Sequence, residues 1–203
     1  MLSGNELITC SKNKSMKNKI TTALLIASTL VLAACGGGDP TESVKGGTLD
    51  FDTSVTVGDA LSGYDYFSET SWESFETSQG RTVVEFKGKI NPEAYIGTTR
   101  NLGEWTGFED YTITQDTLSK LNEKIQNLKQ TYECQFSISK TDDSFEVLYS
   151  GVHTEGIKTQ PGESFETDTA DEDLSVLSNV YTNQPDPKTW AFIYLTAAGV
   201  FDE

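Results

Sequence analysis

The sequence is poor in the residue types on which most catalytic and metal sites depend. Its 203 residues include three cysteines, one histidine and two methionines. A structural zinc site needs four Cys or His ligands, and a serine or cysteine nucleophile needs a neighbouring base. His153 is the sole histidine, and the chain has no G-x-S-x-G serine elbow, P-loop or dinucleotide fingerprint. We therefore predict that the protein is not an enzyme and has no zinc site.

Positive charge is scarce as well. Fifteen Lys and Arg residues stand against 31 Asp and Glu residues, which gives a formal net charge of −16. Binding to nucleic acid or to an anionic lipid surface needs basic residues that replace the counterions of phosphate groups. The composition therefore predicts no nucleic-acid partner and is compatible with a cationic protein partner.

The only long apolar run lies near the N-terminus. From Met16 the chain reads MKNKITTALLIASTLVLAAC, in which two lysines precede an uncharged stretch that ends at Cys35. At about 1.5 Å per residue, these roughly 15 residues are too short to cross a ~30 Å hydrocarbon core. The pattern predicts a signal peptide over residues 16–34, preceded by an upstream start extension over residues 1–15.

The end of this run resembles the lipobox of bacterial lipoproteins, in the residues Leu32-Ala33-Ala34-Cys35. The resemblance implies cleavage before Cys35, acylation of that cysteine by palmitate-like chains, and anchoring of the mature protein in a lipid bilayer. Gly36 stands where many inner-membrane lipoproteins carry aspartate. The resemblance therefore implies a location in the cell envelope, on the outer membrane and facing the periplasm.

Loss of the leader would change both the charge and the cysteine chemistry. Residues 1–34 carry four lysines and one glutamate, so the mature chain has 11 basic and 30 acidic residues, a net charge of −19. Cys10 leaves with the leader and Cys35 is consumed by lipid, which leaves Cys134 without a disulfide partner. Because Cys134 lies in an alternating apolar run, we predict a buried core cysteine.

The mature chain begins with a predicted flexible tether over residues 35–50, rich in Gly and polar residues, and continues as a single domain over residues 51–203. Thr56 is a predicted N-cap for a short helix that ends at Ser62. Two runs, 71–76 and 81–90, predict a β-hairpin. Alternation in the second run predicts a buried face with Val84 and Phe86 and a solvated face with Val83, Glu85 and Lys87.

The second half of the domain repeats this alternation of helix and hairpin. A predicted long surface loop over residues 91–110 is followed by a helix capped by Thr114 and then by a hairpin built from residues 132–139 and 145–152. An acidic loop is predicted near residues 154–173, then a short helix capped near Asp171 and a final strand over 189–195. This order predicts an α+β fold, with an antiparallel sheet of about five strands and two or three helices packed on one face.

Part of the first hairpin resembles a pattern found in small exported bacterial proteins of unknown function. The matching residues run from Val57-Gly58-Asp59-Ala60-Leu61 to the stretch Gly80-Arg81-Thr82-Val83-Val84-Glu85-Phe86-Lys87-Gly88. The resemblance covers about 35 residues and implies a helix packed on a β-hairpin. It carries no activity and no catalytic residue to this chain.

The acidic loop is the one candidate for a metal site. Its carboxylates offer hard oxygen ligands for Ca²⁺, but their spacing does not match an EF-hand loop and no glycine turns the run. A solvated acidic loop is the favoured interpretation, so no metal and no cofactor is predicted. The carboxylates concerned are Glu163, Glu166, Asp168, Asp171, Glu172 and Asp173.

Aromatic residues in the predicted long loop suggest a contact surface, because aromatic side chains in a loop are hard to bury. We predict that Trp105 and Phe108 contact a partner. The leading functional hypothesis is a non-catalytic, lipid-anchored module that binds another envelope protein. The alternatives are an acidic inhibitor of a basic enzyme such as lysozyme, and an envelope hydrolase that uses acidic residues.

Overall fold

A computed structural model describes residues 38–101, 110–124, 128–142, 144–160 and 163–199, without the side chains of 157–165. The strands are β1 Phe67–Glu76, β2 Thr82–Ile90, β3 Thr99–Asn101, β4 Asp110–Thr112, β5 Lys129–Ile138, β6 Phe145–Gln160 and β7 Glu163–Ala170. The main sheet has five antiparallel strands in the order β1-β2-β5-β6-β7, and β3 pairs with β4 in a separate two-stranded sheet.

Five α-helices lie in the described residues, and their buried side chains join the same core as one face of the sheet. The predicted α+β fold with an antiparallel sheet of about five strands is confirmed, although the helices outnumber the two or three expected. None of these helices is long and apolar enough to cross a membrane. The helices are α1 Pro40–Gly46, α2 Val57–Ser62, α3 Gln115–Lys124, α4 Ser175–Tyr181 and α5 Pro187–Ala198.

The first helix-and-hairpin unit agrees with the sequence pattern, except that Val83, which was predicted to be solvated, is only 1% exposed. The Thr56 hydroxyl accepts a hydrogen bond from the Asp59 amide and caps α2, whose Leu61 is fully buried. Strands β1 and β2 pair in an antiparallel hairpin. The β2 residues predicted to be buried, Val84 and Phe86, have no exposed surface.

Helix α3 and strand β5 also follow the predicted periodicity. The Thr114 hydroxyl accepts from the Thr117 amide at 3.2 Å, and α3 buries Leu118 and Leu121. In β5, alternate side chains enter the core, and Cys134 is completely buried as predicted. Burial raises the pKa of the Cys134 thiol to about 12, so this thiol is inert in the native fold.

The predicted final strand over residues 189–195 is wrong, because this segment belongs to α5. Asp186 caps the helix by accepting the Thr189 amide at 2.7 Å, Pro187 occupies the first turn, and Gly199 ends it with a φ of 82°. The aromatic and β-branched residues that suggested a strand are buried against the rest of the core, as in the fully buried Trp190 and Ile193. Cap chemistry at both ends therefore outweighs β propensity here.

The predicted acidic loop near residues 154–173 is also wrong over most of its length. Strand β6 continues to Gln160 and pairs with β7. Thr154 is only 4% exposed. At this point the core side of the hairpin is therefore occupied by a polar β-branched residue and not by a large apolar one. Carboxylates at alternate positions point away from the core, and a strand accommodates them without cost.

Two shorter segments differ from expectation as well. The predicted tether over 35–50 contains α1, which Asp39 caps and Val44 fixes to the core with no exposed surface. The predicted long loop over 91–110 contains a 3-10 turn at Pro92–Tyr95 and the strand β3, and Tyr95 is 1% exposed. Single buried anchors of this kind leave no periodic pattern in the sequence.

Asp171 connects the sheet to both C-terminal helices. Its carboxylate accepts hydrogen bonds from the Val176 and Leu177 amides, at 3.0 to 3.2 Å, and so caps α4 as predicted. The Ser150 hydroxyl of β6 donates to the same carboxylate at 3.0 Å, and Lys188 of α5 lies 3.6 Å away. The Asp171 side chain is 1% exposed, so water cannot replace these partners.

Replacing Asp171 with alanine is therefore expected to destabilise the protein by about 2–4 kcal/mol, from a lost helix cap and buried donors left unsatisfied. A urea titration followed by tryptophan fluorescence measures the change. Asp173→Ala is the matched control, because Asp173 also faces Ser175 and Lys188 but its side chain is 72% exposed. Equal midpoints for the two variants would contradict the assigned role of Asp171.

Candidate functional site: the acidic face of the sheet

The face of the main sheet opposite the helices is polar and strongly acidic. The strand registers place cross-strand rows on this face, such as Lys87 beside Glu133 and His153 beside Asp168. Several of its carboxylates reach far into solvent, and the side chains of Glu69 and Glu73 are 76% and 63% exposed. We call the following set the acidic face: Glu69, Glu73, Glu85, Glu133, Glu155 and Asp168.

Two of these carboxylates, Glu73 and Glu85, lie directly opposite each other on β1 and β2. Like charges in this position repel, and Lys87 compensates with its Nζ atom 2.6 Å from Glu85 and 3.6 Å from Glu73. Glu85 is only 6% exposed, although the sequence predicted a solvated residue. The cause is lateral packing, because Gln135 also donates a hydrogen bond to it at 2.7 Å.

The proton affinities of this pair diverge. A hydrogen bond with Glu85 raises the pKa of Glu73, and partial burial raises it further. Burial acts to raise the pKa of Glu85, but hydrogen bonds from Lys87, Glu73 and Gln135 outweigh it and leave that pKa below its ordinary value. Glu85 is thus the ionised partner, and Glu73 holds a proton more readily than an isolated glutamate.

Glu133 lies at the centre of the face, on β5. Burial raises its pKa, Lys87 opposes this shift, and the nearby charge of Glu85 adds to it. The ring of Tyr149 lies over Gly151, which opposes Glu133 across the β5–β6 pair, because glycine has no side chain to exclude the ring. The centre of the acidic face is therefore closely packed and partly desolvated.

His153 and Asp168 form a hydrogen-bonded pair at one side of the face, with 2.7 Å between Nδ1 and Oδ1. The other ring nitrogen, Nε2, lies 3.6 Å from Oε1 of Glu155. The hydrogen bond to Asp168 raises the pKa of His153, and neighbouring carboxylates add to the shift against the opposing effect of burial. Carboxylates on both sides of the ring favour its protonated form, which cannot act as a general base.

The charged groups of the acidic face suit the recognition of a partner through ion pairs. The six carboxylates lie on adjacent strands with three lysines, of which Lys89 lies 3.7 Å from Glu69 and Lys129 lies 4.0 Å from Glu155. The excess of carboxylates favours the lysine and arginine side chains of a partner. Among the residues that the structure describes, no group of three or more His, Cys, Asp or Glu side chains could hold a metal ion.

The sequence singled out three functional residues and a separate set of carboxylates considered for calcium. Cys35, Trp105 and Phe108 fall outside the described residues. Of the carboxylates considered for calcium, Asp168 belongs to the acidic face, whereas Asp171 is buried on the helical side. His153, the sole histidine, lies within β6 with its side chain 25% exposed.

The sequence contained a signal for part of the face. The alternation that buries Tyr132 and Cys134 places Glu133 on the opposite side, next to Lys87 on the predicted solvated face of β2. Glu155 and Asp168 were missed because their segments were assigned to a loop. The close packing of Glu85 depends on the order of strands in the sheet, which the sequence does not supply.

Comparison with known proteins gives no assignment. No protein-family model matches the chain, and neither the curated proteins nor the solved structures include a significant match.

We expect Asp168→Asn to lower the pKa of His153, because it removes the negative charge that stabilises the imidazolium. The shift is measured by a pH titration of the imidazole C2 proton in an NMR spectrum, where the sole histidine gives one signal. The His153–Asp168 pair stabilises the fold fully below pH 6.5, the unfolded value, and this contribution disappears as pH rises through the higher folded pKa.

Glu155→Gln is the control for this titration, since Glu155 lies 3.6 Å from the ring, beyond hydrogen-bond distance. Its effect on the pKa should be the smaller of the two. A His153 pKa that is the same in the wild type and in Asp168→Asn would contradict the hydrogen bond.

Proposed function

We propose that this protein is a non-catalytic binding module of the bacterial envelope, anchored by lipid at Cys35, which holds a basic protein on the acidic face. The observation that carries the proposal is the excess of carboxylates over lysines, six against three, on the face of the sheet opposite the helices. The strongly negative net charge of the chain supports a cationic partner.

The dimensions of the face suit a protein partner. Strand β1 has ten residues, or about 33 Å at roughly 3.3 Å per residue, and five strands span about 19 Å at ~4.8 Å spacing. The product, about 600 Å², is of the same order as the ~800 Å² that each partner contributes to a standard interface. A small cation would contact only a fraction of this area.

The charges on the face favour a cationic partner over a neutral one. Lys87 already acts on Glu85 and Glu133, so a partner's lysine or arginine would meet the exposed carboxylates instead. These are Glu69, Glu73 and Asp168, whose side chains are 76%, 63% and 72% exposed. The raised pKa values of Glu73 and Glu133 mean that acidification protonates these groups first. Binding to a basic partner should therefore weaken as pH falls from neutral.

The lipid anchor rests on the sequence motif that ends at Cys35. When the protein is produced in a Gram-negative bacterium fed an alkyne-bearing palmitate analogue, we expect label on the wild type and none on Cys35→Ala. Cys10→Ala is the matched control and should retain the label, because Cys10 lies in the segment removed with the leader. Equal labelling of the two variants would contradict the anchor.

The partner surface is tested by crosslinked affinity capture from isolated envelopes, with mass spectrometry as the readout. We expect the wild type to recover a basic protein and the triple variant Glu73→Gln, Glu133→Gln, Glu155→Gln to recover at least tenfold less. Recovery should also fall when the salt concentration is raised, because screening shortens the range of charge attraction.

The control triple variant removes the same charge away from the acidic face, through Asp50→Asn, Glu93→Gln and Glu123→Gln, all at exposed positions. It should recover the partner as the wild type does. If both triple variants recovered equally little partner, the net charge of the protein would explain the binding. If both retained the partner at high salt, this would contradict recognition by the acidic face.

A further inference from the structure

A cleft of about 430 Å³ lies on the helical side of the sheet, between α5 and the strands β5, β6 and β7. Its volume falls in the range of about 300–1,000 Å³ found for small-molecule sites. Val152 on the sheet and Ala191 and Leu195 on α5 contribute apolar surface to it. The cleft is separate from the acidic face, because Val152 belongs to the opposite side of the sheet.

One end of the cleft is polar, and its hydrogen bonding is incomplete. Gln130, Thr154 and Thr167 form one cross-strand row on β5, β6 and β7, and all three line the cleft. Gln130 is 6% exposed, and its Nε2 atom donates a long hydrogen bond of 3.4 Å to the Thr154 hydroxyl. Its Oε1 atom is buried and has no hydrogen-bond partner within the described part of the chain.

A buried carbonyl oxygen that accepts no hydrogen bond destabilises the fold, because it has lost its bonds to water. Such a group is rare in a native fold, and a bound donor that completes it would recover the lost stability. A ligand at this site must supply a hydrogen-bond donor, because the unpaired Oε1 atom of Gln130 is an acceptor. The hydroxyls of Thr154 and Thr167 can donate or accept and would adapt to either role.

The other end of the cleft carries charges that are already paired. The ammonium group of Lys188 lies 3.6 Å from Asp171 and 3.7 Å from Asp173. A ligand therefore needs no anionic group to neutralise this lysine. The two ends lie about 10 Å apart, since Lys188 and Leu195 are seven residues apart on α5 at roughly 1.5 Å per residue.

We propose that this cleft binds a small, elongated, uncharged amphipathic molecule, whose amide or hydroxyl head donates a hydrogen bond to Gln130 Oε1 and whose hydrocarbon body lies along Val152, Ala191 and Leu195. The apolar walls recognise the body, and the row of Gln130, Thr154 and Thr167 recognises the head. A carboxylate head is disfavoured, because it would place an acceptor against an acceptor. The proposal defines the ligand by the chemistry of its head and its hydrocarbon chain and not by its source.

The test uses the full chain in phospholipid nanodiscs, labelled with ¹³C at alanine methyl groups. Hexanamide, 1-hexanol and hexanoate are the probes, because a six-carbon chain matches the length of the cleft and remains soluble. We expect saturable shifts of the Ala191 methyl signal with hexanamide and hexanol, and at least tenfold weaker binding of hexanoate.

Gln130→Met keeps the size of the side chain and removes the unpaired oxygen. It should weaken hexanamide binding at least tenfold without lowering the melting temperature. Gln135→Met is the matched control, on the same strand but on the acidic face, and should bind hexanamide as the wild type does. Ala191→Leu fills the cleft and should abolish the binding of all three probes, which in this variant is read at the methyl group of Ala170, another alanine that lines the cleft.

Three results would overturn the proposal. They are hexanamide binding that Gln130→Met leaves unchanged, a preference for hexanoate over hexanamide, and the absence of any saturable shift at Ala191 in a folded wild type. Partition of one probe into lipid is the same for every variant and cancels when variants are compared. Comparisons between probes use the free aqueous concentration of each probe, measured with empty nanodiscs.

Discussion

The buried carboxylate of Asp171 is the constraint on which the C-terminal half of the fold depends. It receives donors from β6, from the first turn of α4 and from α5, and these elements are distant in sequence but adjacent in space. The chain reaches α4 through Leu174, which adopts a left-handed φ of 54° that non-glycine residues avoid. The bonds to Asp171 compensate for this strain, so the position of α4 and the end wall of the cleft follow from one side chain.

The sheet separates two kinds of chemistry because its side chains alternate. The same strand β5 presents Tyr132 and Cys134 to the helices and Glu133 and Gln135 to the acidic face. Apolar burial on one side provides the stability, which leaves the other side free to concentrate like charges. Lys87, Lys89 and Lys129 limit the repulsion within the face, and these three lysines against six carboxylates leave the face negative.

The sequence was informative where a regular period coincided with a local cap. Helix α2, helix α3 and the β1–β2 hairpin all combine these signals, and the structure contains each of them. The strand predicted over residues 189–195 was wrong because a buried helix is apolar on every side and shows no helical period in its sequence. Only the capping residues Asp186 and Gly199 indicated a helix here. The acidic face was predictable strand by strand, but its assembly depends on the order β1-β2-β5-β6-β7, which is set by tertiary packing.

The acidic face also controls which partners the sheet edge can accept. Strand β1 is an edge strand, and an unpaired edge invites pairing with another strand. Glu69, Glu73 and Glu76 lie along it, so two copies of β1 brought together would place carboxylates against carboxylates. A basic strand or surface meets no such repulsion. The charges that attract a cationic partner therefore also oppose self-association, and one set of residues supplies both affinity and selectivity.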